Sequence, residues 1–104
     1  DPNNTNPQKL GAYNRHTWAA YLLHGELFVK RYEALAAPAA YPAFGCTFEM
    51  FTNADILELE TLGPLTTLAP GRSVSHTERW TAHRDVKLST WTDEELDRVV
   101  LPLV

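Results

Sequence analysis

A strict two-residue alternation between Phe44 and Thr52 is the feature that most constrains the fold of this chain. Phe44, Cys46, Phe48 and Met50 fall on one side of the pattern, and Gly45, Thr47, Glu49 and Phe51 fall on the other. This is the period of a β-strand, in which successive side chains point to opposite faces. The pattern therefore predicts a strand with one apolar face and one more polar face.

Residues 18–23 and 26–33 predict an antiparallel hairpin. Both segments carry bulky apolar side chains, and the His24-Gly25 pair between them suits the positive φ angles of a two-residue loop. Two further alternating segments, 56–61 and 73–82, predict one strand each. Antiparallel strands joined by turns in this way are typical of an all-β protein, here a partial β-sandwich.

The rest of the chain predicts loops and one helix. Residues 1–15 are rich in Asn and Pro and are expected to form a leading loop or linker. Two prolines favour a loop over residues 35–42, because each proline inside a helix costs about 3 kcal/mol. Thr92 and Glu95 form a capping box, so we expect a short terminal helix over residues 92–100.

The composition fits one domain and disfavours several kinds of partner. The 104 residues, 44% of them hydrophobic, suffice for one core, so we expect a single domain or the C-terminal segment of a larger β-sandwich. Lys and Arg total 9 against 13 Asp and Glu, and the net charge of −4 disfavours nucleic acid and anionic membranes. The apolar stretches fall short of the roughly 20 residues that span a bilayer. The chain begins on Asp1 without an initiator Met, from which we expect a cut through a longer protein.

The cysteine and the four histidines suggest little metal or thiol chemistry. Cys46 is the only cysteine, so it forms no internal disulfide, and it fits a reducing compartment such as the cytoplasm. Only His76 and Glu78 fall on one face of a predicted strand. Two ligands are fewer than a metal site needs, so we expect neither a metal nor another cofactor. A small cupin-like metal protein that uses these two residues stays open as an alternative.

The acidic residues offer a stronger candidate site. Glu58 and Glu60 lie on one face of a predicted strand, and Glu49 is expected on the neighbouring strand. The simplest interpretation is a solvated outer face with basic counter-charges. The alternative is a polar face that binds a hydroxyl-rich ligand, because carboxylates accept hydrogen bonds from hydroxyls and can act as general bases.

Three segments, in this order, resemble the C-terminal part of the galactose mutarotase-like superfamily, especially its aldose 1-epimerase-related members. They are Leu57-Glu58-Leu59-Glu60-Thr61-Leu62-Gly63-Pro64, Leu68-Ala69-Pro70-Gly71 and His76-Thr77-Glu78-Arg79-Trp80. Upstream segments similar to the same group are Lys9-Leu10-Gly11, Trp18, Tyr21 and Leu27-Phe28-Val29-Lys30-Arg31. The resemblance implies a large antiparallel β-sandwich that binds a sugar across a concave sheet, with this chain as its last third.

The resemblance also implies roles for individual residues. Glu60 matches the glutamate that removes the proton from the anomeric hydroxyl, and Glu49, Glu58, His76 and Glu78 are candidates for contacting the sugar. The family's histidines that protonate the ring oxygen lie in upstream segments and match none of the four histidines here. The resemblance thus implies a carbohydrate-binding segment that is inactive alone. A non-catalytic sugar-binding or structural β-sandwich module is the alternative.

The apolar side of the strands between Phe44 and Leu59 predicts association. Half a sandwich exposes one apolar sheet face and unpaired strand edges, and both favour pairing with other chains. We therefore expect a homo-oligomer, or pairing with an N-terminal half of the same protein.

Overall fold

The structure is a computed structural model that describes residues 5–36 and 40–104, and most of its regular elements are strands. The elements are β1 (Gln8–Ala12), β2 (Trp18–Leu23), β3 (Glu26–Tyr32), α1 (Pro42–Gly45), β4 (Phe48–Thr52), β5 (Leu57–Thr61), β6 (Glu78–His83), α2 (Asp93–Val99) and a 3-10 turn, Leu101–Leu103. Within the described residues the strands form two three-stranded sheets, sheet one in the order β1-β4-β5 and sheet two in the order β2-β3-β6. The predicted all-β class, with antiparallel sheets and a short C-terminal helix, is confirmed. No helix in this described part is long and apolar enough to cross a membrane.

The chain divides into two compact units, and each unit combines two separate stretches of sequence. Unit one comprises Asp1–Thr17 and Tyr32–Thr77, and unit two comprises Trp18–Arg31 and Glu78–Val104. Sheet one lies in unit one. Sheet two, apart from Tyr32 at the end of β3, lies in unit two together with α2.

The register of sheet one separates an acidic face from an apolar face. The acidic face carries the cross-strand rows Gly11–Glu49–Glu60 and Lys9–Phe51–Glu58. The apolar face carries the rows Leu10–Met50–Leu59 and Ala12–Phe48–Thr61. Directly opposed residues of an antiparallel pair share a face. The expected placement of Glu58 and Glu60 on one face of their strand is therefore confirmed.

Two predictions in unit one are wrong in part, one of a loop and one of a strand. Residues 8–12 form strand β1 inside the segment expected to be a leading loop. This strand pairs with β4, which is distant in sequence, and the residues of β1 themselves carry no pattern that predicts a strand. The strand expected from Phe44 begins only at Phe48. Ala43 and Phe44 have positive φ angles of 50° and 63°, and Phe44 is fully exposed, so a tight turn interrupts the alternation.

One further strand is shorter than predicted, and two predicted loops include residues outside the described part of the chain. The strand expected over residues 73–82 begins at Glu78. The loop expected over residues 35–42 includes residues 37–39, which lie outside the described residues. The same holds for residues 1–4 of the expected leading loop.

Thr47 is a fully buried hydrogen-bonding centre in unit one. Its Oγ1 accepts a hydrogen bond from the Asn14 backbone N–H at 2.9 Å and lies 3.1 Å from the Tyr32 hydroxyl. Its own N–H donates to the carbonyl of Ala12, and its carbonyl accepts from the N–H of Leu62. Burial raises the pKa of Tyr32 above its usual value, and the hydrogen bonds with Thr47 and Asn14 partly offset that effect.

The hairpin prediction in unit two is confirmed. Strands β2 and β3 pair antiparallel around His24 and Gly25, whose φ angles of 49° and 83° are both positive, as in a type I′ turn. One face of the hairpin forms the core of this unit. The buried members of that core are Leu27, Val29, Val86 and Val100, and residues of α2 pack against them.

Helix α2 begins where the capping signal predicts. The Thr92 hydroxyl accepts a hydrogen bond from the backbone N–H of Glu95. The Glu95 carboxylate accepts from the N–H and hydroxyl of Ser89, at 3.0 and 2.8 Å, and from the Arg98 guanidinium. These contacts, led by the Ser89 backbone N–H, lower the pKa of Glu95 to about 2.

Candidate functional site

Glu49, Glu60 and Lys9 form a charged cluster on the acidic face of sheet one. Glu49 of β4 and Glu60 of β5 lie directly opposite each other, and Lys9 of β1 reaches both. Lys9 Nζ is 2.6 Å from Glu49 Oε2 and 3.5 Å from Glu60 Oε2. The lysine therefore bridges two carboxylates whose like charges would otherwise repel across the strand pair.

The two carboxylates of this cluster differ in exposure. The Glu49 side chain is 13% exposed, whereas the Glu60 side chain is 41% exposed. The hydrogen bond to Glu49 is the main cause that raises the pKa of Lys9 above its usual value. Glu49 thus anchors the ammonium group, and Glu60 is the carboxylate that a ligand reaches more easily.

Cys46 lies beside the cluster, so its expected place on the apolar face is wrong. A Cβ atom on Gly11 would be 2.7 Å from Cys46 Sγ and 3.6 Å from Glu49 Oε1, so the thiol fills the space next to Gly11. The tight turn at α1 explains the difference, because it ends the alternation before Phe48.

Glu58 shares the acidic face but stands apart from the cluster. It is exposed, lies opposite Phe51 and makes no ion pair with any described residue. Phe51 is half-buried and occupies the cross-strand row next to Glu49. The face thus combines charged hydrogen-bonding groups with an aromatic ring, a combination that suits ligands with both hydroxyl and C–H surfaces.

His76 does not join Glu60. Its Nε2 lies 2.8 Å from Oγ1 of Thr61, and the ring of Tyr32 lies beside it with centroids 6.2 Å apart. Successive residues of a strand point to opposite faces, so Thr61 and Glu60 project from opposite sides of β5. The imidazole is therefore across sheet one from the Glu60 carboxylate.

Glu78 belongs to a different set of contacts in unit two. Its carboxylate lies 3.1 Å from Lys30 Nζ and accepts a hydrogen bond from the Trp80 indole N–H at 2.8 Å. His76 and Glu78 therefore contact different partners. Residues 5–36 and 40–104 contain no group of three or more His, Cys, Asp or Glu side chains that could hold a metal ion, so the cupin-like alternative gains no support.

Lys9 is the site residue that the strand pattern did not indicate. It lies in the segment expected to be a loop, and the alternation over Gln8–Ala12 is too short and too mixed in character to predict a strand by itself.

Comparison with protein-family models, with curated proteins and with solved structures finds no match to this chain. The fold and the cluster define an all-β protein that carries a lysine-bridged pair of glutamates on one sheet face.

Proposed function

We propose that the acidic face of sheet one binds a sugar, and that Glu60 is the general base at the anomeric hydroxyl in an aldose 1-epimerase-like protein. The observation that carries this proposal is the direct opposition of Glu49 and Glu60 with Lys9 bridging them. The resemblance of the segment around Glu60 to mutarotase-like proteins adds separate support.

The cluster matches the hydrogen bonds that a sugar ring can make. Hydroxyl groups donate to the carboxylates of Glu49 and Glu60 and accept from the ammonium of Lys9. At 3.5 Å the contact of Lys9 with Glu60 is the longer of its two, so a ligand hydroxyl can replace it while Glu49 keeps Lys9 in place. Phe51 offers an apolar surface to the C–H groups of the ring.

The proposed reaction needs one base and one acid. Glu60 takes the proton from the anomeric hydroxyl while the bond between C1 and the ring oxygen breaks, and the acid gives a proton to the ring oxygen. Rotation about C1–C2 and reversal of both proton transfers then yield the other anomer. His76 lies across the sheet from Glu60, and the resemblance implies an upstream histidine as the acid. We therefore expect this chain alone to bind sugar without epimerising it.

Binding by the chain is the first test. NMR titration with D-galactose and D-glucose should produce saturable shifts at the backbone amides of Gly11, Glu49 and Glu60. Lys9→Met should weaken binding because it removes the hydrogen-bond donor. Asp55→Asn, at an exposed carboxylate in the turn between β4 and β5, is the control and should leave binding unchanged. The absence of saturable shifts with either sugar would contradict the proposal.

Catalysis is tested in the longer protein that the resemblance implies. Glu60→Gln keeps the shape of the side chain but cannot accept the proton, so mutarotation followed by polarimetry should slow on the order of a hundredfold with little change in sugar affinity. Asp55→Asn, in the exposed turn between β4 and β5, should retain the rate. Unchanged mutarotation in the Glu60→Gln protein would end the assignment of Glu60 as the base.

A non-catalytic sugar-binding module is the second candidate. The contact of Lys9 with both carboxylates favours it, because an ion-paired glutamate suits the recognition of hydroxyl groups without proton transfer. In that case the longer protein does not accelerate mutarotation, and Glu60→Gln lowers sugar affinity instead. The binding and polarimetry measurements together separate the two candidates.

A further inference from the structure

A cleft of about 560 Å³ opens in unit two beside the His24-Gly25 turn. The hydrogen bond from the Val86 N–H to the carbonyl of Gly25, at 2.9 Å, ties the hairpin to the chain that follows β6. Side chains that line the cleft include Tyr21, Glu26, Phe28, Ala82, His83 and Arg84. Its volume is within the range of small-molecule binding sites.

One wall of the cleft is aromatic and held in place by its neighbours. Tyr21 lies directly opposite Phe28 on the hairpin, and Trp80 packs edge-on against Phe28 with centroids 5.6 Å apart. The indole of Trp80 is itself fixed by its hydrogen bond to Glu78, which also pairs with Lys30. Tyr21 is 39% exposed, so part of this wall is open to a ligand.

The cleft is lined by one acidic and one basic residue. Glu26 and Arg84 both line it, and neither makes an ion pair or side-chain hydrogen bond with any described residue. Both therefore keep their hydrogen-bonding capacity for a ligand. His83 also lines the cleft, and its Nε2 is buried with no hydrogen-bond partner among the described residues, which is uncommon for a buried polar atom.

We propose that this cleft binds a neutral sugar ring, as a second carbohydrate site of the chain. An anion would meet Glu26 and a cation would meet Arg84, whereas hydroxyl groups can donate to the first and accept from the second. A wholly apolar ligand would remove both charges from water without replacing their hydrogen bonds. The C–H face of a pyranose packs on Tyr21 and Phe28 while its hydroxyls reach the two charged groups.

This second site does not depend on the proposed function of Glu60, because the cleft lies in unit two and the Glu49–Glu60 pair lies in unit one. NMR spectra of one titration report both sites through different amides. Failure of one proposal is therefore distinguishable from failure of the other.

Methyl β-D-glucopyranoside and methyl β-D-galactopyranoside are the probes, since their anomeric centres are locked and they bind without reacting. Both should shift the amides of Tyr21, Phe28 and Ala82 saturably at millimolar concentrations. Tyr21→Ala should raise the Kd about tenfold, and Tyr21→Phe should leave it nearly unchanged. Trp91→Ala is the matched control, because Trp91 is an exposed aromatic residue of unit two that does not line the cleft.

Cyclohexanol distinguishes a sugar site from a merely apolar cleft. It presents a six-membered ring with a single hydroxyl and should bind much more weakly than either glycoside. Glu26→Gln and Arg84→Gln should weaken glycoside binding without affecting cyclohexanol, and they serve as the test if Tyr21→Ala fails to fold. Equal binding of cyclohexanol, or no saturable shift at the cleft with either glycoside, would overturn the proposal.

Discussion

A methyl group at Gly11 would lie 2.7 Å from Sγ of Cys46, closer than non-bonded carbon and sulfur atoms approach. We therefore expect Gly11→Ala to lower the free energy of unfolding by about 1–3 kcal/mol, measured by urea denaturation. Gly63→Ala is the matched control, because its added carbon would be 3.5 Å from the nearest atom, in His76. Adding Cys46→Ala to Gly11→Ala should restore most of the loss. A double variant no more stable than Gly11→Ala would contradict this account.

Thr47→Val should destabilise unit one through lost hydrogen bonds. The two side chains have nearly the same shape, but valine removes the oxygen that accepts from the Asn14 N–H and contacts the Tyr32 hydroxyl, which keeps only its hydrogen bond with Asn14. Removing the acceptor of a buried hydrogen bond costs about 1–3 kcal/mol, so urea denaturation should show a loss in that range. Thr81→Val, at an exposed strand position, should change stability little. A loss equal to that control would show that water replaces the missing oxygen.

Glu95 should make the stability of the chain depend on acid pH. Its pKa is about 2 in the folded chain against an ordinary 4.5, so the ionised carboxylate stabilises the fold fully above about pH 4.5. This contribution is lost as the pH falls from 4.5 towards 2. The difference in thermal midpoint between the wild type and Glu95→Gln should therefore shrink across that window. Glu94→Gln, on the exposed side of the same helical turn, is the control, and a pH-independent difference would refute the linkage.

Gly25→Ala should destabilise the hairpin. The φ angle of Gly25 is 83°, in the left-handed region that costs a residue with a side chain about 1–2 kcal/mol. Thermal unfolding should show this loss, whereas Gly63, which lacks a positive φ, should accept alanine more readily. Equal effects at the two glycines would mean that the turn relaxes around the new side chain.

The apolar face of sheet one should drive self-association. Leu10, Met50 and Leu59 form one row across three strands, and Leu10 is 56% exposed. Light scattering should therefore report a mass above 11.7 kDa, and Leu10→Gln should reduce it. Leu65→Gln changes another exposed leucine, outside this row, and should have no effect. A monomeric wild type at micromolar concentrations would contradict the expectation.

Local signals in the sequence account for the elements that were predicted well. The hairpin follows from two adjacent strands and the turn chemistry of His24-Gly25, and α2 follows from Thr92 and Glu95, which are three residues apart. The shared face of Glu58 and Glu60 follows from the period of their own strand. In each case the residues that determine the structure are neighbours in sequence.

The remaining features depend on distant partners or on an unusual backbone conformation. Strand β1 exists because Leu10 and its neighbours pair with β4, and the Lys9 bridge follows from that pairing. Phe44 continues an alternating pattern, but its positive φ removes it from the strand, and no residue type at this position signals such a turn. The position of His76 across the sheet from Glu60 likewise depends on a contact between residues distant in sequence, His76 and Thr61.

The interleaving of the two units along the chain has a consequence for synthesis on the ribosome. Unit one can close once Thr77 has emerged, but the β2–β3 hairpin then still lacks β6 and the helix that covers its core face. Until Glu78 and the residues after it leave the exit tunnel, the hairpin presents an open strand edge and uncovered Leu27 and Val29. A nascent chain stalled at this point is consequently the species most exposed to aggregation and to capture by chaperones.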